Sequence, residues 1–173
     1  MDIINYKLCE LCKKRYIHIQ DPSVWCYLCW DTNNASVITD NLYLSNYFIS
    51  KQYDRLKSLN INQILSIGKE LPQHNTPEFK TLHIELEDRT DENIKQHFET
   101  AIEFINNGPT LVHCYAGISR SATIVLAYMM KTYKLPLYLA MKHCKSRRSI
   151  ISPNSGFMKQ LYEFEAEVVH TKQ

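Results

Sequence analysis

Between Thr110 and Met130 the chain passes from a short β-prone run, Thr110-Leu111-Val112, through His113-Cys114-Tyr115-Ala116-Gly117-Ile118-Ser119-Arg120-Ser121 into an almost wholly apolar stretch, Ala122 to Met130. That order predicts a strand, a tight loop and a buried helix. The loop is where chemistry belongs. Backbone amides of such a loop, with the helix N-terminus behind them, make an anion site. Arg120 adds a fork of charged donors. Cys114 would face the bound oxyanion, its thiolate held by the same donors.

The rest of the chain supplies a setting for this unit. Val37-Ile38-Thr39, Asp40-Asn41 and Leu42-Tyr43-Leu44 read as a β-hairpin. A helix is predicted over 47–59, with Phe48, Leu56 and Leu59 as its apolar positions. Strands follow at 61–67 and 81–86, joined by a loop at 71–78. An acidic loop, Glu87 to Asp91, is expected to end by capping a helix that carries Ile94, Phe98, Ile102 and Ile105. Further helices are predicted from about Ser119 to Tyr133, over 137–146, and around Phe157, Leu161, Phe164 and Val168. Strands and helices alternate, and the Cys114 loop sits at the C-terminal end of a strand. The expected fold class is therefore α/β, with a central, mainly parallel sheet flanked by helices and the site where such sheets place ligands.

Composition narrows the function classes. A net charge of +2 on 173 residues argues against a broad nucleic-acid surface. No apolar run approaches the roughly 20 residues needed to span a bilayer, so no membrane partner is expected. Met1-Asp2-Ile3 does not open a signal peptide, and residue 2 is not the Gly that myristoylation needs. A cytoplasmic or nuclear location is expected. There, six Cys read as metal ligands or catalytic thiols sooner than as disulfides.

Four of the six form two pairs, Cys9-Glu10-Leu11-Cys12 and Cys26-Tyr27-Leu28-Cys29. Two such knuckles suit one tetrahedral zinc ion. Tyr16 to Ile19 alternates like a short strand between them. Residues 1–34 are thus expected to form a zinc-ribbon-like module, with residues 35–173 as the main domain. So short a segment cannot build its own core, whereas a structural zinc contributes roughly 10–16 kcal/mol in small peptides. With all four positions taken by protein, the metal is expected to be structural, and no catalytic metal is expected. The module is also a candidate dimer or partner contact.

The reaction expected at Cys114 is attack on phosphorus. The amides of Tyr115, Ala116, Gly117, Ile118 and Ser119, with Arg120, would hold the phosphate oxygens. Ser121 could donate to the Cys114 sulfur and improve it as a leaving group. A neighbouring carboxylic acid must protonate the departing oxygen, and Asp88 and Asp91 are the candidates. Cys144 reads as a core thiol. Lys142, Lys145, Arg147 and Arg148 read as a solvated basic face.

His113-Cys114 through Gly117 and Arg120-Ser121 match the signature of the cysteine-dependent protein phosphatases, and residues 36–170 resemble a dual-specificity protein phosphatase domain. The likeness extends to Asp40 through Ser45 and to Arg148 through Phe157 with Gln160-Leu161. It implies a phosphorylated protein substrate and a site open to phosphotyrosine, phosphoserine and phosphothreonine, since no aromatic wall-building insertion is evident. It selects Asp88, ten residues before Phe98, as the general acid over Asp91. It implies that Asn154 helps hold the loop and that His113 orients the nucleophile. Lipid phosphatases of this superfamily tend to carry extra Lys in the loop, and RNA 5′-triphosphatases a Thr after the loop Arg; Tyr115, Ile118, Ser119 and Ser121 depart from both. A phosphoprotein-binding pseudophosphatase is the rival of another class.

Overall fold

The structure, a computed structural model, describes residues 6–8, 15–17 and 34–169. Strands β1 (Tyr6–Leu8) and β2 (Arg15–Ile17) pair antiparallel, with Lys7 opposite Tyr16. The two Cys pairs of the expected zinc module lie outside the described residues.

The main sheet has five strands: β3 (Ser36–Thr39), β4 (Leu42–Asn46), β5 (Gln63–Ile67), β6 (Lys80–Ile84) and β7 (Thr110–Cys114). Their order is β3-β4-β7-β5-β6. β3 and β4 form the expected antiparallel hairpin, and every other pairing is parallel. β7 is central, and all five of its residues are buried. Both faces of a parallel strand are covered, which is why Thr110-Leu111-Val112 reads as a continuous rather than alternating run. Leu111 packs on one face with Tyr43, Leu56, Ile61, Ile64 and Phe79. Val112 and Cys114 join the larger core on the other face.

That larger core is built by α3 (Phe98–Asn106), α4 (Arg120–Tyr133), α5 (Leu137–Arg147) and α6 (Ser155–Val168). Every residue of α4 from Arg120 to Met130 is buried. This helix is the axis of the domain, and it presents its N-terminus at the end of β7.

Two local expectations need correction. The helix expected over 47–59 is two short ones, α1 (Tyr47–Ser50) and α2 (Tyr53–Ser58). The Asn46 side chain caps α1 by accepting from the Ile49 amide at 3.0 Å, and Ser50 Oγ donates to the Tyr47 carbonyl at 2.7 Å. The Asn46 bond starts the helix, whereas a hydroxyl bonded to a carbonyl one turn back, as at Ser50, competes with continuing it. Phe48, expected among the apolar positions of that helix, is exposed. The second correction concerns Asp91. It does not cap a helix; it takes both its hydrogen bonds from the guanidinium of Arg89, at 3.0 and 2.8 Å. The next helical residues begin later, with a 3-10 turn at Lys95–His97 before α3.

Candidate active site

β7 delivers Cys114 to the floor of a loop made by residues 115–119, and α4 starts at Arg120. Cys114 is 1% exposed. Its Sγ accepts from the Gly117 amide and from Ser121 Oγ, each at 3.2 Å. The sequence brings both donors round because Gly117 adopts φ +70°. A Cβ there would also lie 2.3 Å from the Ser45 carbonyl oxygen, so no larger residue fits.

Four consecutive loop carbonyls are each tied to the scaffold. The Tyr115 carbonyl accepts from the Tyr47 amide at 3.1 Å and the Ile118 carbonyl from the Ser152 amide at 2.9 Å. Between them, the Ala116 and Gly117 carbonyls accept from Arg148, at 3.2 and 2.8 Å. In a trans peptide the N–H points opposite to the C=O. Fixing these carbonyls toward the scaffold therefore turns the amides of Ala116, Gly117, Ile118 and Ser119 to the other side, as the Gly117 amide on Cys114 Sγ illustrates. A concave set of amides of this kind is an anion cradle.

Arg148 was expected on a solvated basic face with Lys142, Lys145 and Arg147. It is instead fully buried, at 0% exposure. Burying a guanidinium requires acceptors for its donors, and the loop carbonyls provide them. The planar fork reaches two adjacent carbonyls at once, which Lys could not.

Arg120 is 5% exposed. Two of its nitrogens donate to Glu70, at 2.8 and 2.6 Å, and one of these also to the Leu86 carbonyl at 3.2 Å. Its Nε is buried without a hydrogen-bond partner. Hydrogen bonding to Arg120 holds the Glu70 carboxyl below the usual carboxylate range. Glu70 had no signal in the sequence: it stands in a loop between strands, far from the Cys114 motif.

Asp88 lies across the cradle. One carboxylate oxygen accepts from Ser119 Oγ at 2.7 Å and from Asn154 Nδ2 at 2.9 Å; the other is 3.6 Å from Arg120 Nε. Ser119 Oγ also accepts from the Asn154 amide at 3.1 Å, and Asn154 Oδ1 caps α6 by accepting from the Phe157 amide at 2.9 Å. Asn154 thus joins the acid loop to the helix start. Gly156 permits that approach, since a Cβ there would meet the Thr90 carbonyl oxygen at 1.9 Å. Gln160 staples the far end, donating to the Glu92 carbonyl and accepting from the Lys95 amide. Asp91 is taken up by Arg89 at the surface.

Behind Cys114 is a buried chain of hydrogen bonds. His113 Nδ1 is 3.3 Å from the Cys114 carbonyl, which can only accept, so Nδ1 carries the proton. Nε2 is then a bare acceptor, taking bonds from Ser66 Oγ at 2.7 Å and His74 Nε2 at 3.0 Å. His74 Nδ1 in turn accepts from the Tyr53 hydroxyl at 3.0 Å. Burial, with His74 adjacent, pushes the His113 pKa down to about 3. Among the described residues the other thiol, Cys144, lies in the core as expected, and burial pushes it up to about 12.

Comparison with known proteins accords with this geometry. Residues 42–167 match the family model for the dual specificity phosphatase catalytic domain. The chain belongs to the dual specificity phosphatase family. It is 36% identical over 140 residues to dual specificity protein phosphatase 1 of Arabidopsis thaliana, covering 78% of this chain and 71% of that one. It is 39% identical over 145 residues to the human dual specificity protein phosphatase 1, but spans only 40% of that protein's length against 81% of its own. Among solved structures it superposes on DUSP15 with a TM-score of 0.72 at 34% identity, over 82% of this chain and 98% of that one. The human tyrosine phosphatase-like serine/threonine/tyrosine-interacting protein gives a TM-score of 0.72 at 33% identity, over 76% and 95%. Dual specificity phosphatases are hydrolases of phosphorylated proteins. Among the described residues no helix is long and apolar enough to cross a membrane, and no cluster of three His, Cys, Asp or Glu is placed to hold a metal.

Proposed function

We propose that this chain hydrolyses phosphate esters of tyrosine, serine and threonine in proteins through a cysteinyl-phosphate intermediate. The observation that carries the reading is the amide cradle around Cys114 Sγ, with its carbonyls tied back by Tyr47, Arg148 and Ser152. The buried Nε of Arg120, which makes no hydrogen bond and has only the Asp88 carboxylate at 3.6 Å, supports it, since a buried donor without a hydrogen bond is costly unless an acceptor arrives. A phosphate oxygen is such an acceptor.

The Cys114 sulfur attacks phosphorus, forming the S–P bond as the ester P–O bond breaks. The cradle amides and Arg120 hold the equatorial oxygens, where charge gathers. Asp88 gives its proton to the departing alkoxide or phenoxide. Water then attacks the phosphocysteine and returns a proton to Asp88. Ser121 Oγ, 3.2 Å from Sγ, stabilises the thiolate as it leaves. His113 fixes the Cys114 carbonyl, and Asn154 aims Asp88. Wild type is expected to hydrolyse p-nitrophenyl phosphate and Cys114→Ser to be inert. Equal, negligible rates for both would mark a phosphoprotein-binding module instead.

Residues 1–34 form a separate zinc-binding module in this reading, and residues 35–173 the catalytic domain. Cys9, Cys12, Cys26 and Cys29 would bind one structural zinc. The paired spacing supports it, as does the antiparallel pairing of β1 with β2. Cys9 and Cys12 fall between those strands in the sequence. A cytoplasmic or nuclear location goes with this reading, since reduced thiols free to bind metal belong to such compartments. A dimer or partner contact through this module is tested by sizing the protein with and without residues 1–34.

A further inference from the structure

Phe48 is 62% exposed and Tyr115 52% exposed. They are not scattered. Their rings are 6.1 Å apart, edge to face. Tyr115 is the first residue after the nucleophile. Phe48 lies on α1, whose cap residue Asn46 is the register partner of Cys114 across β4 and β7. The Tyr47 amide to Tyr115 carbonyl bond, 3.1 Å, locks the two segments together. Tyr47, half-buried beneath, stacks toward Phe48 with ring centroids 5.8 Å apart. The exposed aromatic pair therefore stands beside the loop that carries Cys114, held there by α1 and the loop itself.

We propose that the Phe48–Tyr115 pair is a grip for the phenyl ring of phosphotyrosine, and that it biases the enzyme toward phosphotyrosine over phosphothreonine. The inference rests on the phosphatase reading above. With phosphate seated on Cys114, the atoms leaving the cradle differ between substrates. In phosphotyrosine a flat ring separates the ester oxygen from the peptide backbone. In phosphothreonine that span is one carbon bearing a methyl. A ring passing Phe48 and Tyr115 finds aromatic edges and faces to pack on; a methyl-bearing carbon leaves most of that surface in water.

The grip touches the substrate ring equally before and during the reaction, so it acts as uniform binding and shows in KM rather than kcat. The test compares full-length wild type, Phe48→Ala and Phe48→Tyr on two peptides identical but for phosphotyrosine or phosphothreonine. Phe48→Ala is expected to raise KM for the phosphotyrosine peptide about tenfold with kcat nearly unchanged, from the loss of one aromatic contact and its burial. Its kcat/KM for the phosphothreonine peptide should change less than about threefold. Phe48→Tyr, which keeps a ring, should restore most of the phosphotyrosine KM. Equal losses on both peptides, or none on either, overturn the grip while leaving the phosphatase reading intact. Wild type that turns over neither peptide overturns both.

Discussion

His113 offers the sharpest quantitative test of the architecture. Burial and the neighbouring His74 push its pKa from 6.5 to about 3. A depressed histidine favours the folded state fully above its unfolded pKa, and that contribution is lost as pH falls from about 6.5 toward 3. Between pH 7 and pH 5 the unfolded chain takes up most of one proton at this position and the folded chain almost none. Linkage then removes about 2 kcal/mol of stability over that interval. For a chain of 173 residues this lowers Tm by about 4–8 °C. His74, also lowered chiefly by burial and then by the charge of Lys51, acts in the same direction. Urea unfolding at pH 7 and pH 5 for wild type and His113→Asn isolates the His113 part. The variant should be less stable at pH 7, yet should lose about 2 kcal/mol less on acidification. Imidazole nitrogen shifts should show His113 neutral at pH 5, with the proton on Nδ1. Equal pH slopes in the two proteins, or a charged His113 at pH 5, would refute the reasoning.

Asp88→Asn should lower kcat about 10²–10⁴-fold on phenyl phosphate, whose leaving group is poor, and far less on p-nitrophenyl phosphate. If Asp91→Asn produces that pattern instead, the acid has been assigned to the wrong carboxylate. Arg148→Met should cost about 3–5 kcal/mol in chemical unfolding and abolish turnover, because it strands two loop carbonyls in the interior; Arg148→Lys should rescue neither, and recovery of turnover by Lys would show that the fork is not needed. Metal analysis of freshly reduced full-length protein should find one zinc per chain, with a chelator lowering the thermal stability of residues 1–34; no zinc would remove the module from the proposal.

The sequence by itself determined the parts of this protein whose physics is local. Thr110 to Met130 announces strand, loop and buried helix because period, glycine and apolar content lie within one short window. The β3–β4 hairpin is legible for the same reason, with Asp40-Asn41 between two β-prone runs. Cys114, Gly117, Arg120 and Ser121 come together because the loop itself is short. What only the tertiary structure decided depends on chain segments distant in sequence. Arg148 looks like its neighbours Lys145 and Arg147 until the Ala116 and Gly117 carbonyls are placed over it. Glu70 has no pattern of its own and becomes meaningful only when β5 sets it beside Arg120. Asp88 and Asp91 are alike as residues of an acidic loop, and in the sequence only the family resemblance favours Asp88; the contacts with Ser119 and Asn154 that set it apart come from distant segments. Phe48, read as an apolar position of one long helix, stands exposed on the short α1, beside Tyr115 of the loop.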